Sequence, residues 1–338
     1  MRPMLLMLFP AVALVAQAPA TQAPAPVDLV QRFNSELPGI NQMLKELKPQ
    51  EAMAKVQALI PAERPTFNAS NAKSIIQSLD NAQGLMSLYR LYANVCSEAG
   101  QWEKAVEIHE KRAQAARATL ADLEKAQAPI TALWQKVTQE SGDYVAKNAP
   151  RQQELQASLK ALREDVDAVN AKKKKLDAKG LEELKSRIAK APQDEQELDQ
   201  ITAALPVHKQ NLVNAPKVTK ILGDNRKEVE GMIQAAEEAV AKANKAVSDQ
   251  NDEITQFNTQ QIIKKVKIVG KKNWVDAVLR VPENITKLGS PQIQGAFLNR
   301  LLVLDPGNVG AQKALDNLKA GKEAFTKEPK PAKKGGKK

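Results

Sequence analysis

The stretch LGDNRKEVEGMIQAAEEAVAKANKAVSDQNDEITQF, residues 222–257, decides the fold. Read in alternating steps of three and four, it gives Leu222, Arg226, Val229, Ile233, Ala236, Val240, Ala243, Val247, Gln250, Ile254 and Phe257, apolar at all but Arg226 and Gln250. A 3.5-residue repeat keeps one narrow stripe of a helix turned toward a partner helix, the condition for coiled-coil packing. The same spacing runs through Val106, His109, Ala113, Ala116, Leu120, Leu123, Gln127, Ile130, Trp134, Val137, Ser141 and Tyr144, then through Leu155, Leu159, Leu162, Val166 and Val169. Residues 102–261 are therefore expected to be helix almost throughout.

Each stripe must be buried against something. Asn148-Ala149-Pro150 and Asn214-Ala215-Pro216 read as matching breaks, each offering an Asn cap and a Pro suited to a first helical turn. They are nearly equidistant from Lys179-Gly180-Leu181. The expectation is an antiparallel hairpin with its turn between about 179 and 192; arms of about 80 residues would reach on the order of 100 Å at ~1.5 Å per residue. The rival reading is a homo-oligomer of parallel chains associating through the same stripe.

Composition agrees with helix pairing. Aromatics are 4% of the chain while hydrophobics are 43%, so its apolar content is mainly small and aliphatic, suited to helix–helix seams. The chain opens with Met1-Arg2-Pro3, an apolar run from Met4 to Ala16, and Gln17-Ala18-Pro19-Ala20, the order of a secretory signal. That run is shorter than the ~20 residues of a membrane-spanning helix. Cleavage is expected near Ala16–Ala20, giving a signal peptide over 1–20, a Pro/Ala linker over 21–26, and a mature chain that is periplasmic or secreted. The lone Cys96 cannot form an internal disulfide and reads as a small buried residue.

Helical pieces flank the coil. Within 27–101, short helices are expected over Val27–Leu37, Ile40–Leu47 and Glu51–Ile60, separated by Pro38-Gly39, Pro49 and Pro61. Leu85, Leu88, Leu91, Tyr92, Val95 and Cys96 then form one helix face, Gly100 closes it, and Trp102-Glu103-Lys104-Ala105-Val106 starts the next helix. The phrase returns after the coil as Trp274-Val275-Asp276-Ala277-Val278, preceded by Ile262, Ile263, Val266 and Val269 as helix or, alternatively, a short strand. Leu298, Leu301, Leu302 and Leu304 lead into Asp305-Pro306-Gly307-Asn308 and an Ala/Leu helix.

Residues 85–117 and 262–320 resemble tetratricopeptide repeats on these phrases, with Cys96 and His109 standing where larger aromatics are usual. The resemblance implies paired antiparallel helices, a protein-binding role, and a general plan similar to exported bacterial envelope proteins that join such repeats to a coiled coil. If the repeat hairpins present a groove, Tyr89, Tyr92, Trp102 and Trp274 are the candidate partner anchors; otherwise they are core.

Charge adds a second reading. The net charge is +11, and residues 327–338 carry six Lys against one Glu. This tail, part of a Lys-rich segment over 321–338 expected to be disordered, includes Lys333, Lys334, Lys337 and Lys338. With Lys172, Lys173, Lys174 and Lys175 near the expected hairpin tip, it offers attraction to anionic lipid or wall polymer. Nucleic acid is not an expected partner of an exported chain.

Catalytic chemistry is not legible. Two His and one Cys leave no zinc cluster, and neither a Gly-rich phosphate loop nor a GxSxG elbow is present. Glu182-Glu183 and Glu237-Glu238 alternate with Lys and Gln as solvated helix faces do. The sequence therefore predicts an all-α protein that is not an enzyme and has no cofactor, metal or catalytic residue. Its expected partners are other envelope or secreted proteins, to which it would serve as adaptor, spacer or scaffold.

Overall fold

The computed structural model describes residues 28–264 and 270–325. They are all-helical: α1 (Leu29–Lys45), α2 (Pro49–Leu59), α3 (Ala72–Glu98), α4 (Trp102–Asn170), α5 (Ala178–Ile263), α6 (Lys271–Leu279), α7 (Glu283–Thr286), α8 (Pro291–Leu304) and α9 (Val309–Lys319). The signal and linker residues 1–26, Val266, Val269 and the tail 327–338 lie outside the described residues. No described helix is long and apolar enough to cross a membrane. Contacts divide the chain into two units, Glu124–Arg226 and the residues on either side of it.

Glu124–Arg226 has the form of an antiparallel coiled-coil hairpin. Its two helical segments, 124–170 and 178–226, are each on the order of 70 Å long at ~1.5 Å per residue. The register is fixed by pairs from end to end. Gln127 Nε2 donates to the Leu222 carbonyl at 3.3 Å, Ser141 Oγ meets His208 Nδ1 at 3.1 Å, and the Tyr144 and His208 rings stack at 4.1 Å. Arg151 holds Glu197 with two hydrogen bonds of 2.8 and 2.9 Å. Leu155, Ile201 and Leu205 form the apolar centre. Across both long helices the predicted seam residues are buried or half-buried except Arg226, which turns outward and pairs with Glu124 at 3.0 Å.

The turn occupies residues 171–177, earlier than the expected 179–192. Lys172 and Lys173 donate back to the carbonyls of Val169 and Ala168, the paired bonds of a Schellman stop, and Lys172 takes the left-handed φ of 56° that this stop requires. Asp177 then opens α5, its Oδ1 accepting from Gly180 N–H at 2.8 Å. Gly180 therefore sits in the first turn of a helix. The expected breaks at Pro150 and Pro216 are likewise absent. Pro129, Pro150, Pro192, Pro206 and Pro216 all lie inside α4 and α5 on exposed positions, where the carbonyl each leaves without a donor can face water. The same reason carries α1 through exposed Pro38, correcting the break expected there, while Leu29 and Ile40, on either side of it, are buried.

The other unit is a layer of shorter helices packed with the flanking parts of α4 and α5. A first apolar cluster joins α1, α2 and α3 through Leu29, Ile40, Val56, Leu88 and Val95, with Ala105 and Ile108 of α4 and Met232 and Ile233 of α5 against it. A second joins α6, α8 and α9 through Trp274, Val275, Leu298, Leu301 and Leu315, with Leu47 and Ile254. Gly100 ends α3: its N–H donates to Ser97 and that of Gln101 to Cys96, at φ 74°. A Cβ there would come within 2.5 Å of α8 backbone atoms, so glycine is required both by its conformation and by the close approach.

Candidate functional site

Where α8 meets the α3–α4 turn, a buried guanidinium ties the unit together. Arg300 is 1% exposed and donates from Nε to Gln250 Oε1 at 2.7 Å and from Nη1 to the Gly100 carbonyl at 3.0 Å. It also holds both oxygens of Glu103, at 2.7 and 2.6 Å, and lies 4.9 Å over the Trp102 ring. Arg300 depresses the Glu103 pKa, chiefly through these hydrogen bonds. All three guanidinium nitrogens of this arginine donate to structure, through four hydrogen bonds, so its role is positional.

Beside this node runs an open groove of about 630 Å³ between α3, α4 and α5. Arg90 and Glu98 reach it from α3, Trp102, His109 and Arg112 from α4, and Lys242 from α5. The α5 side is otherwise a face of small residues, Ala235, Ala239, Ala243 and Ala246. His109 and Arg112 are each 8% exposed, yet His109 Nδ1 and Arg112 Nε have no hydrogen-bond partner. Burial, and then the charge of Arg112, hold the His109 pKa below its ordinary value. Burial and Arg90 together work against the charge on Arg112. Burial also raises the Glu98 pKa. The groove thus offers positive charge, the free Nε–H donor of Arg112 and an unpartnered imidazole nitrogen beside a methyl-lined wall, a combination suited to recognising an anionic group with apolar surroundings.

The residues singled out from sequence divide sharply. Tyr92 and Trp274 are buried, Tyr92 with its hydroxyl donating to Gln57 at 2.9 Å, so the reading of these two as exposed anchors is corrected to core packing. Tyr89 is half-buried against the first cluster. Trp102 is half-buried and lines the groove. Lys172, Lys173, Lys174 and Lys175 are exposed in the hairpin turn rather than on a helix, with Lys174 paired to Asp165 at 2.6 Å. Lys333, Lys334, Lys337 and Lys338 lie outside the described residues.

Arg90, Arg112 and Lys242 were not legible as a site. The one signal available was Arg112 beside His109 and Ala113, a charge intruding on an apolar helix face. The spacing of His109 marks it as a seam residue, a role it combines with a place in the groove. Among the described residues, no three His, Cys, Asp or Glu side chains gather as a metal site. Comparison of the chain with protein-family models, with curated proteins and with solved structures finds no match.

Proposed function

We propose that the chain is an exported, non-enzymatic protein-interaction protein of the cell envelope, an adaptor, spacer or scaffold. In this reading a signal over 1–20 is removed near Ala16–Ala20, the helices around Trp102 and Trp274 act as tetratricopeptide-like hairpins, and the coiled coil is the arm. The supporting observation is the hairpin itself: 124–170 and 178–226 satisfy each other's seams within one chain, leaving long polar flanks for contact. The test is affinity capture from envelope extracts with the full chain and with a variant whose residues 128–221 are replaced by a short Gly/Ser linker. The reading expects defined protein partners, at least one of them lost with the arm. Capture of none by the full chain would count against it.

The exposure of Lys172–Lys175 at the turn supports a second reading, in which these lysines and the tail hold anionic lipid or wall polymer. Here, vesicles rich in anionic lipid should retain the chain at low salt, and deleting Lys327–Lys338 or changing Lys172–Lys175 to Gln should release it. Retention unchanged by both alterations rejects this second reading.

A further inference from the structure

The groove beside Arg300 carries a charge imbalance that the fold does not resolve. Arg90, Arg112 and Lys242 line it with one carboxyl, Glu98, and among the described residues none of the three cations forms an ion pair. Arg112 is nine-tenths buried with its Nε–H unpartnered, and the equally buried His109 has an unpartnered Nδ1. A charged group removed from water without a counter-charge or a full set of hydrogen bonds is strongly unfavourable. The buried charge of Arg112 and the unpartnered imidazole nitrogen of His109, one helical turn apart and lining the same groove as Arg90, make a built anion site.

The rest of the lining identifies what carries the anion. The groove, at about 630 Å³, is of the size that encloses a ligand of many atoms rather than a bare ion. Ala235, Ala239, Ala243 and Ala246 give it a methyl wall that an inorganic ion would leave wet. Glu98 limits the negative charge the groove accepts and so favours a singly charged carboxylate over a phosphate dianion. The chain's own residues 327–338, with six Lys against one Glu, have the wrong sign.

We propose that this groove binds an acidic peptide segment of a partner protein, one Asp or Glu carboxylate held by Arg112, Arg90 and His109 with its apolar neighbours along the alanine wall. A bidentate arginine contact supplies the orientation and the alanines accept the flanking side chains. The proposal rests on the reading of the chain as a protein-interaction protein and names the chemistry of that partner.

The chain has only two histidines, so each imidazole can be followed by NMR. The full chain is titrated with the capped pentapeptide Leu-Ala-Glu-Ala-Leu, with the same peptide carrying Gln in place of Glu, and with inorganic phosphate. The Glu peptide should shift the His109 signals and raise its pKa, leave His208 unmoved, and bind at least about ten-fold tighter than the Gln peptide. Arg112→Gln should weaken that binding by about 10- to 100-fold. Arg90→Gln, at an exposed position that the fold does not depend on, should weaken it in the same direction and carries the test if the Arg112 variant does not fold. Phosphate moving His109 as strongly as the Glu peptide, with no preference between the two peptides, overturns the peptide occupant; no movement of His109 by any probe overturns the site. Loss of the peptide result while the unaltered chain still captures partners leaves the interaction reading standing, and peptide binding without captured partners does the reverse.

Discussion

Replacing Arg300 with methionine should destabilise the helical layer far more than its surface-facing counter-ion suggests. The substitution keeps the apolar stem but removes the donors that satisfy Gln250 Oε1 and the Gly100 carbonyl, both in buried residues. Orphaning a buried acceptor costs about 1–3 kcal/mol, so R300M should cost about 2–6 kcal/mol. Glu103→Gln is different, because the Glu103 side chain is 55% exposed and water can replace part of what it loses. Solvent screening brings that cost to about 1–2 kcal/mol. The two variants also differ in pH response. The folded pKa of Glu103 lies below its unfolded value, so its contribution is fully present above the ordinary carboxylate range and is lost as pH falls through the folded pKa. The gap between the unaltered chain and E103Q should therefore close on acidification, whereas the orphaned acceptors in R300M persist. Urea titrations followed by Trp fluorescence in a Trp134→Phe background report the layer alone, since Trp102 and Trp274 both belong to it. An R300M cost below about 1 kcal/mol, or an E103Q cost exceeding it, would refute the reasoning.

Three further outcomes are expected. Lys172→Gly should stabilise the hairpin by about 0.5–1 kcal/mol, the left-handed strain relieved being larger than the entropy that glycine adds to the unfolded chain; a lowered thermal midpoint would contradict this. Gly100→Ala should destabilise the layer by more than the ~1 kcal/mol of its positive φ, because the added methyl meets α8 backbone at 2.5 Å; denaturant midpoints decide this. Cys96 is fully buried and burial pushes its thiol pKa to about 11, so it should resist a thiol reagent at pH 8 until denaturant is added. Rapid labelling of the folded chain would show that the core around α3 is open.

The seam was legible because a 3.5-residue spacing is local information, and Val229, Ala236, Leu155 and Leu159 are buried as their spacing requires. The turn was misplaced because Gly180 and Pro192 are breakers by propensity alone, while the stop is set by Lys172 in a conformation that lysine seldom adopts. Pro150 and Pro216 are likewise breakers by propensity alone, yet at exposed positions the carbonyl each orphans reaches water and the helix runs through them. A second seam segment, Leu198, Ile201, Leu205, Ala215 and Val218, is hidden among prolines and polar residues, with only His208 legible as a seam residue within it, but it buries the facing arm. The Arg300 node has no mark in the sequence, and the groove has only Arg112 intruding on the apolar face of His109 and Ala113. The node joins α4 to the distant α5 and α8, and the groove closes the distant α5 on the consecutive α3 and α4, so no local pattern announces which arginine will be buried.

The central claim is that the long helices pair antiparallel within one chain. Ser141 and His208 touch across the seam, so a chain carrying Ser141→Cys and His208→Cys should oxidise to an intramolecular disulfide with the mass of a monomer, while Ser141→Cys alone should give no covalent dimer. Oxidation of Ser141→Cys alone to a disulfide-linked dimer, with no internal bridge in the double variant, would show parallel association between chains and contradict the account.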